Sequence, residues 1–401
     1  MKFLIVGASL ISGNKGVNAL TRGTINYLID NLQVDKIEIL SYSTDQVRTH
    51  KIQSSNKELS VKEIPFKFKQ NMKNPLSLSK YISELKTFLK GFDQVLDISE
   101  GDSFSDIYGQ KRLILHSIVK YLCNKNGVKL VFMPQTIGPF KKKSSQLIAR
   151  NLLNNASEIF VRDSISEKVV KEDLGIKKPV NRTPDIAFYM KKDDKVNLKD
   201  LYRGNEKQPI FIGLNISGLL YNGGYSKDNM FGFKEPYNEL SISIIEYFMT
   251  IPETVIVLTP HVVPEGFEVE NDLLASLNVL EYFKGNYEKR IFVLDGNLKE
   301  HEIKGLIAQM DFFIGGRMHA CIAAISSFVP TVPIAYSRKF HGIWNDLGAG
   351  DAVADPKVYD NKQIIRIIKD NFENRDKLKN TLSDNIKTAI KKFNIIKDKI
   401  E

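Results

Sequence analysis

The sequence predicts an α/β protein with two doubly wound units in tandem, each built on a mostly parallel sheet, followed by C-terminal helices. Short apolar, β-branched runs alternate with segments of helical spacing almost from end to end, and one polar stretch, residues 191–208, interrupts them. The 401 residues suffice for two or three domains. Apolar strands alternating with helices form parallel sheets covered on both faces. We therefore expect domains at 1–190 and 209–356, a linker at 191–208, and helices over 357–401.

Apolar runs predict the strands and helices of the first unit. The run after Met1 and Lys2 is short and ends in glycine, which is typical of a first strand rather than a signal peptide. Runs of Val, Ile, Leu and Phe between polar residues predict strands, and apolar residues three and four apart predict helices. The predicted strands are 3–7, 36–40, 94–98, 128–133 and 158–161, and the predicted helices are 17–29, 76–89, 108–123 and 146–153.

The same alternation predicts a second parallel sheet and a helical tail. The predicted strands are 210–214, 254–258, 290–294, 312–314 and 331–335, with helices at 240–249 and 300–309. In the tail, Leu378, Leu382, Ile386, Ile390 and Phe393 have helical spacing, and residues 357–401 contain 12 basic and 7 acidic residues. Such basic amphipathic helices either lie on a membrane or pack against a domain. We favour packing because it is the more common outcome.

The composition excludes several classes of protein. The 57 Lys and Arg against 47 Asp and Glu give a net charge of +10, but the lysines are scattered. Nucleic-acid binding requires a concentrated basic stripe, so we expect no nucleic-acid partner; a phosphorylated substrate or a membrane surface fits better. The two cysteines, Cys123 and Cys321, lie in apolar segments, and no run of 18 apolar residues occurs. These features predict a cytoplasmic protein, with the inner face of the membrane as a further location.

Loops that follow parallel strands are where ligands bind, so they contain the candidate site. Residues 13–18 (Gly-Asn-Lys-Gly-Val-Asn) follow the first strand and lead into a helix. Glycines and helix amides in such a turn bind anions, with an ordinary turn as the alternative. Residues 98–106 place three carboxylates and several hydroxyls after another strand. Either a carboxylate such as Asp102 or Asp106 orients sugar hydroxyls or accepts a proton, or Asp102 or Ser103 caps the next helix.

Cationic residues follow three further strands. Arg162 stands at the end of a strand, where a guanidinium can hold phosphate or carboxylate; a local pair with Asp163 or a surface role is the alternative. The strongest signal is residues 312–320, in which a buried strand leads into two glycines, Arg317 and His319. This segment combines a fixed cation, a group that titrates near neutral pH and the start of a helix. Lys339 adds a cation after the next strand.

The sequence predicts no metal site. The six histidines are dispersed, no HxxxH or CxxC pair occurs, and neither cysteine lies at ligand spacing from a histidine. A Gly-x-Ser-x-Gly nucleophile turn is also absent from the sequence. We therefore expect no chemistry at a bound metal ion.

Together these motifs resemble those of the polysaccharide pyruvyl transferase family. The resemblance covers roughly residues 1–350, in the family's order. The matching positions are Gly13, Asn14 and Gly16; Ser99, Gly101, Asp102, Ser103, Phe104, Ser105 and Asp106; 135–139; Arg162, Asp163 and Ser166; Pro184 and Asp185; 316–319; and Pro333, Tyr336 and Lys339. One departure is Glu100, where many relatives have glycine. Its carboxylate would repel an anionic donor, so we expect Glu100 to face the acceptor or to point away.

The resemblance implies transfer of a pyruvyl group from phosphoenolpyruvate to two hydroxyls of a sugar, which yields a cyclic ketal and phosphate. It implies two Rossmann-like domains facing across a cleft (GT-B-like), and no cofactor besides the donor substrate. The implied acceptor is a saccharide or lipid-linked saccharide of a cell-surface polysaccharide, and peripheral membrane association is compatible with it. The implied donor residues are Asn14, Gly16, Arg162, Arg317, His319 and Lys339, of which Arg317 and His319 are catalytic, and the acceptor residues are Asp102, Ser103, Asp106 and Gln135.

The residue chemistry agrees with this hypothesis. Phosphoenolpyruvate carries two anionic groups, which Arg162 and Arg317 would neutralise, and His319 is the natural acid for its methylene carbon. Because Arg317 stands at a loop-to-helix junction, we expect it to contribute little to the core. Two other interpretations stay open: a GT-B glycosyltransferase with a nucleotide-sugar donor, and a catalytically silent binding protein of the same fold.

Overall fold

The computed structural model describes residues 1–55, 57–204, 208–287 and 289–401, apart from the side chain of Arg338. The chain divides into two compact units. The first contains 1–12, 17–191 and 389–401, and the second contains 13–16 and 192–388. Each unit has its own sheet, with eight strands in the first and five in the second among the described residues.

The first unit has a sheet of order β3-β4-β2-β1-β5-β6-β7-β8, parallel except for the β3–β4 pair. Its strands are β1 Lys2–Val6, β2 Lys36–Ser41, β3 Arg48–Ser54, β4 Lys57–Pro65, β5 Gln94–Asp97, β6 Lys129–Gln135, β7 Glu158–Val161 and β8 Asn181–Arg182. Its helices are α1 Lys15–Asn31, α2 Phe68–Asn71, α3 Pro75–Leu89, α4 Gln110–Asn126, α5 Lys143–Asn155 and α6 Ser164–Lys168. Short helical turns follow at Ser99–Gly101, Val169–Asp173 and Ile186–Tyr189.

The second unit has an all-parallel sheet of order β11-β10-β9-β12-β13. Its strands are β9 Ile210–Asn215, β10 Thr254–Leu258, β11 Ile291–Val293, β12 Phe312–Gly315 and β13 Thr331–Pro333. Its helices are α7 Leu198–Leu201, α8 Gly218–Tyr221, α9 Tyr237–Met249, α10 Asp272–Tyr282, α11 Glu300–Ile307, α12 Met318–Ile325, α13 Arg338–Asp346, α14 Asn361–Glu373 and α15 Arg375–Ile390. Short turns lie at Glu268–Glu270 and Gly350–Ala352, and the chain ends in the first unit with Lys391–Phe393 and α16 Asn394–Ile400.

The prediction of two doubly wound α/β units is confirmed, and every predicted strand and helix overlaps an observed element. The antiparallel β3–β4 hairpin was missed. Its strands form one edge of the sheet, and exposed residues alternate with buried ones such as Ile52 and Val61. Because only one face of the hairpin is buried, its strands lack the continuous apolar run by which the others were found.

Apart from Lys191, which belongs to the first unit, the described part of the predicted linker belongs to the second unit. Leu198 is buried at the start of α7, and its backbone N–H donates to the side chain of Gln309 at 2.8 Å. Residues 205–207 of the predicted linker lie outside the described residues. The sequence predicts a linker here because one buried leucine among Lys, Asp and Asn does not form an apolar pattern.

The tail packs against the rest of the chain. Leu378, Leu382 and Ile386 of α15 are buried, as is Phe393. In the first unit, the Tyr27 hydroxyl donates to the backbone carbonyl of Phe393 at 2.8 Å. The apolar face of the tail is therefore used within the protein, as the favoured alternative predicts. Within the described residues, no helix is both long enough and apolar enough to cross a bilayer.

Candidate functional site

The candidate site of the second unit lies at the carboxyl edge of its sheet. The strands β9, β10, β12 and β13 are parallel, so their carboxyl ends and the loops that follow them share one edge. These loops contain residues 259–263, the segment 316–319 and the start of α13. This is the edge at which ligands bind in open α/β sheets.

Residues 13–16 belong to the second unit, although in sequence they follow β1 and include the first two residues of α1. The backbone N–H of Lys15 donates to the carbonyl of His261 at 3.1 Å, and Val263 donates to the carbonyl of Gly13 at 2.8 Å. Only glycine fits at position 13, because a Cβ atom there would lie 2.6 Å from Cα of Pro264. The predicted anion-binding turn is therefore built into the second unit.

The same segment packs against His319. A Cβ atom at Gly16 would lie 2.4 Å from Nδ1 of the His319 ring, and the backbone N–H of Gly16 donates to Oδ1 of Asn14 at 3.0 Å. His319 is partly buried in the first turn of α12. The structure thus brings together three of the predicted donor residues, Asn14, Gly16 and His319, through the close approach of a glycine to an imidazole.

Arg317, which precedes α12, is bound to the buried carboxylate of Asp272. Its Nε and Nη2 donate to Oδ1 of Asp272 at 3.1 and 2.8 Å, and Nη2 also donates to the carbonyl of Glu270 at 2.8 Å. Its side chain is 11% exposed. Burial opposes the charge, but Asp272 outweighs this and raises the pKa of Arg317. The guanidinium is therefore a fixed cation.

Asp272 organises the loops of the site. Besides Arg317, its carboxylate accepts backbone N–H groups of Gly218, His261 and Val262 at 2.8, 3.1 and 3.0 Å. It also accepts Nδ2 of Asn215 at 3.3 Å. Sequence reasoning missed this residue, whose one local signal is its position after the Asn271 cap of α10. The expectation that Arg317 contributes little to the core is wrong, because Arg317 balances this buried charge.

Positive charge converges on His261, which is 2% exposed. Burial lowers the pKa of His261 well below its usual value, and the nearby His319, Lys15 and Arg317 lower it further. His261 is therefore neutral at neutral pH, although Glu300 opposes the change. Burial also lowers the pKa of Lys15, although Glu300 and other acidic groups oppose the change. The side chains of Lys15, Arg317 and His319 therefore lie near enough to His261 to act on its pKa.

Lys339 lies in the first turn of α13, after β13. Burial lowers its pKa to about 8. This places its titration close to physiological pH, so the charge of Lys339 is sensitive to what lies beside it. Tyr336, three residues earlier, interacts electrostatically with Arg317.

Arg162 lies in the first unit, whereas Arg317 and His319 lie in the second, so neither unit contains all three. The Nη1 atom of Arg162 donates to Oδ2 of Asp185 at 2.6 Å, and Nε donates to Oγ1 of Thr136 at 2.9 Å. The side chains of Arg162 and Asp185 are 1% and 0% exposed. Arg162 therefore pairs with Asp185 and not, as the alternative predicts, with the adjacent Asp163.

The four predicted acceptor residues lie in the first unit, after β5 and in β6. Gln135 is buried and donates to the carboxylate of Asp97 at 3.0 Å. Asp106 accepts the backbone N–H groups of Lys141 and Lys142 at 3.0 and 2.9 Å, and thus holds the loop before α5. Asp102 accepts the hydroxyl of Tyr108 at 2.9 Å, and neither Asp102 nor Ser103 caps α4, whose N-cap residue is Gly109.

Glu100, the departure from the family pattern, is paired with Arg112. The Ser103 hydroxyl lies between them, donating to Glu100 at 3.2 Å and accepting from Nη2 of Arg112 at 3.0 Å. Glu100 has a φ of +50°, which is a strained backbone conformation for a residue other than glycine. The charge that we expected to repel an anionic donor is therefore balanced within its own unit.

No group of three or more His, Cys, Asp or Glu side chains that could hold a metal ion occurs in the part of the chain that the structure describes. The chemistry that this arrangement supports is anion binding beside a histidine. Lys15 and Arg317 supply charge, the start of α12 adds its helix dipole, and His319 supplies a titratable nitrogen.

Comparisons with known proteins agree with this description. A family profile described as polysaccharide pyruvyl transferase matches residues 14–338. The amylovoran biosynthesis protein AmsJ of Erwinia amylovora is 22% identical over 413 residues, which cover 93% of both proteins. Among solved structures, a UDP-forming trehalose-phosphate synthase from Burkholderia xenovorans has a TM-score of 0.58 at 9% identity, covering 100% of both chains. A UDP-GlcNAc 2-epimerase from Methanocaldococcus jannaschii has a TM-score of 0.55 at 11% identity, covering 92% of both chains. These structures share the GT-B type of fold with this chain.

Proposed function

The chain belongs to the polysaccharide pyruvyl transferase family, and from this premise we propose that it transfers a pyruvyl group from phosphoenolpyruvate to a saccharide. The acceptor would provide two hydroxyls, and the products would be a cyclic ketal and inorganic phosphate. The similarity to an amylovoran biosynthesis protein supports an acceptor that belongs to a surface polysaccharide or its precursor. The observation that carries the proposal is the packing of residues 13–16 against the loop of His261 and the ring of His319, beside the Arg317–Asp272 pair that holds the same loop.

In this proposal the donor binds at the carboxyl edge of the second sheet. Phosphoenolpyruvate has a phosphate and a carboxylate, so a matching site needs at least two cations in fixed positions. Lys15 is held by the backbone pairing of residues 13–16, and Arg317 by Asp272. The hydrogen bonds of Arg317 to Asp272 and Glu270 use Nε and Nη2. In the proposal, Nη1 donates to the anionic donor. Lys339 and Asn14 would complete the anion site.

His319 would act as the general acid. Its proton goes to the methylene carbon of the donor, which becomes a methyl group, while C2 becomes electron-poor. The oxygen of one sugar hydroxyl then forms a bond to C2 and loses its proton to the imidazole. Such proton transfer typically contributes 10²–10⁴-fold to a rate. Gly16 against the ring holds the imidazole in one orientation.

The second half of the reaction would release phosphate. The bond between C2 and the phosphate oxygen breaks, and the electron pair leaves with phosphate, stabilised by Lys15 and Arg317. The second sugar hydroxyl bonds to C2, and its proton leaves with phosphate, so that atoms and charges balance. The reaction as written needs neither a metal nor another cofactor. Family resemblance assigns Arg162 to the donor and Asp102, Ser103, Asp106 and Gln135 to the acceptor, and these assignments form part of the proposal.

A second candidate is glycosyl transfer from a nucleotide sugar. It is favoured by the fold shared with proteins whose structures contain UDP or a UDP-sugar, but a fold shared at about 10% identity supports many activities. The third interpretation, a silent binding protein, is less consistent with a cation pair and a partly exposed histidine at the same edge.

The deciding experiment measures phosphate release from phosphoenolpyruvate with a panel of saccharide acceptors, in parallel with labelled nucleotide sugars. We expect acceptor-dependent phosphate release, and a product whose mass increases by one pyruvyl ketal. His319→Gln should lower turnover at least 100-fold while donor affinity changes little. The matched control is His301→Gln, because His301 lies in α11 of the same unit. Label transfer from a nucleotide sugar without phosphate release from phosphoenolpyruvate would refute the proposal.

A further inference from the structure

An apolar groove crosses the helical face of the first unit, formed by α2, α3, α4 and α5. Its volume is about 710 Å³. The lining is almost entirely aliphatic and aromatic and includes Ile82, Ile118, Leu122, Ile148 and Leu152. No residue of the candidate functional site lines it.

Large apolar side chains project from the rim of this groove. Ile114 and Tyr121 of α4 are 51% and 48% exposed, and Leu147 of α5 is 63% exposed. Nearby, Met72 and Leu76 at the α2–α3 junction are 59% and 81% exposed. Ile114, Tyr121 and Leu147 all line the one groove, unlike the isolated exposed residues of an ordinary surface, and such a patch marks an interaction site.

Basic residues frame the groove. Lys86 lines it, and Lys111 and Lys125 lie three residues before Ile114 and four after Tyr121, on the same face of α4. Lys143 stands one turn before Leu147 on α5. Of the nine basic residues in the four helices, Lys120 is buried against Asp97 and Arg112 is paired with Glu100. The other seven stand against one acidic residue, Glu84; they are Lys69, Lys80, Lys86, Lys111, Lys125, Lys143 and Arg150.

We propose that this face, hereafter the α2–α5 face, binds the surface of an anionic lipid bilayer. Apolar side chains flanked by lysines match such a surface, because the chains insert at the acyl boundary while the ammonium groups meet anionic headgroups. A second copy of the chain is a poorer occupant, because a symmetric pairing would bring two sets of basic helices together. A bilayer supplies both the apolar volume and the negative charge.

Vesicle flotation tests the inference with the full-length protein. Wild-type protein should float with vesicles that contain phosphatidylglycerol, bind pure phosphatidylcholine at least tenfold more weakly, and dissociate as salt is raised. Lys111→Ala with Lys125→Ala should weaken binding roughly 25-fold, since each surface lysine contributes about a fivefold change. Ile114→Ser with Leu147→Ser should also weaken it at least tenfold.

Matched controls come from the second unit. Lys377→Ala with Lys379→Ala removes two exposed lysines of α15, and Leu274→Ser with Leu277→Ser changes two α10 residues that are 41% and 44% exposed. Neither control should change flotation. Wild-type protein that does not float with phosphatidylglycerol, or controls that lose as much binding as the test variants, would overturn the inference.

The remaining occupant is a second copy, which sedimentation equilibrium detects. If Ile114→Ser with Leu147→Ser converts a dimer to a monomer and leaves flotation unchanged, the α2–α5 face is a subunit interface and the inference is wrong. Flotation requires neither donor nor acceptor. A protein that floats but releases no phosphate from phosphoenolpyruvate would therefore refute the proposed reaction and retain the inference.

Discussion

Because Arg317 and Asp272 form a buried ion pair, we predict that Arg317→Ala destabilises the second unit. The sequence alone predicts little effect of this change on folding. Arg317→Ala leaves the carboxylate of Asp272, which is 0% exposed, without its balancing cation. Breaking a buried pair by removing one partner costs about 3–5 kcal/mol. Four other donors still reach this carboxylate, so we expect a value near the lower end, about 3 kcal/mol.

Thermal unfolding of the second unit measures this cost. For a unit of this size, about 3 kcal/mol corresponds to a fall in Tm of roughly 6–12 °C. Arg48→Ala, which changes an exposed arginine of the first unit, should shift Tm by less than about 2 °C. Arg317→Lys should recover part of the stability, because it restores the charge without the planar fork.

A double-mutant cycle separates the ion pair from general damage to the loop. Asp272→Asn with Arg317→Ala should be more stable than the sum of the single effects predicts, by about 1–3 kcal/mol, because the two residues are in contact. An Arg317→Ala protein with the Tm of the wild type, or strictly additive single effects, would refute the reasoning. Donor affinity is measured well below the Tm of each variant, so that loss of binding and loss of folding are distinguished.

Three further predictions concern Gly16 and Lys15 of the candidate site and the two buried histidines His116 and His261. Gly16→Ala should displace the His319 ring, because the new Cβ would lie 2.4 Å from Nδ1. Turnover should fall about 100-fold while the circular dichroism spectrum stays native. Gly91→Ala is the control, and equal turnover of the two variants would contradict the contact. Lys15→Met should raise the KM for phosphoenolpyruvate roughly 10- to 100-fold, since a charge-assisted hydrogen bond to the donor contributes about 1.5–3 kcal/mol. The control Lys379→Met should leave this KM unchanged. An unchanged KM in Lys15→Met would show that Lys15 does not bind the donor. Burial lowers the pKa of His116 and His261 in the folded state, so the unfolded state binds more protons. Stability should therefore fall as pH drops below about 6.5, by at most about 1.4 kcal/mol per pH unit for each histidine. In urea unfolding between pH 7 and 5, the free energy of unfolding of His261→Asn should depend less steeply on pH than that of the wild type, and an equal dependence would argue against a neutral His261.

Part of the candidate site was predictable because its residues are close in sequence to features that have short-range signals. The strand β12, two glycines and the start of α12 stand within nine residues, and the position of Arg317 and His319 at a strand end follows from that order. The turn at 13–16 was also recognised, as a glycine-containing segment between a strand and a helix. What was not recognised is that this turn packs beside His319, 303 positions later in the chain.

The alternation of strands and helices can be predicted from the sequence alone, and with it the two doubly wound units and the sheet edges at which ligands bind. Periodicity over a few residues carries that information, because burial of one face acts locally on each helix and strand. The charge pairs become visible only in the folded protein: Asp272 with Arg317 across 45 residues, Arg162 with Asp185, and Glu100 with Arg112. Such pairs depend on how strands are ordered in a sheet and how loops fold over its edge, and an isolated Asp or Arg looks the same in sequence whether its partner is a substrate or a buried side chain.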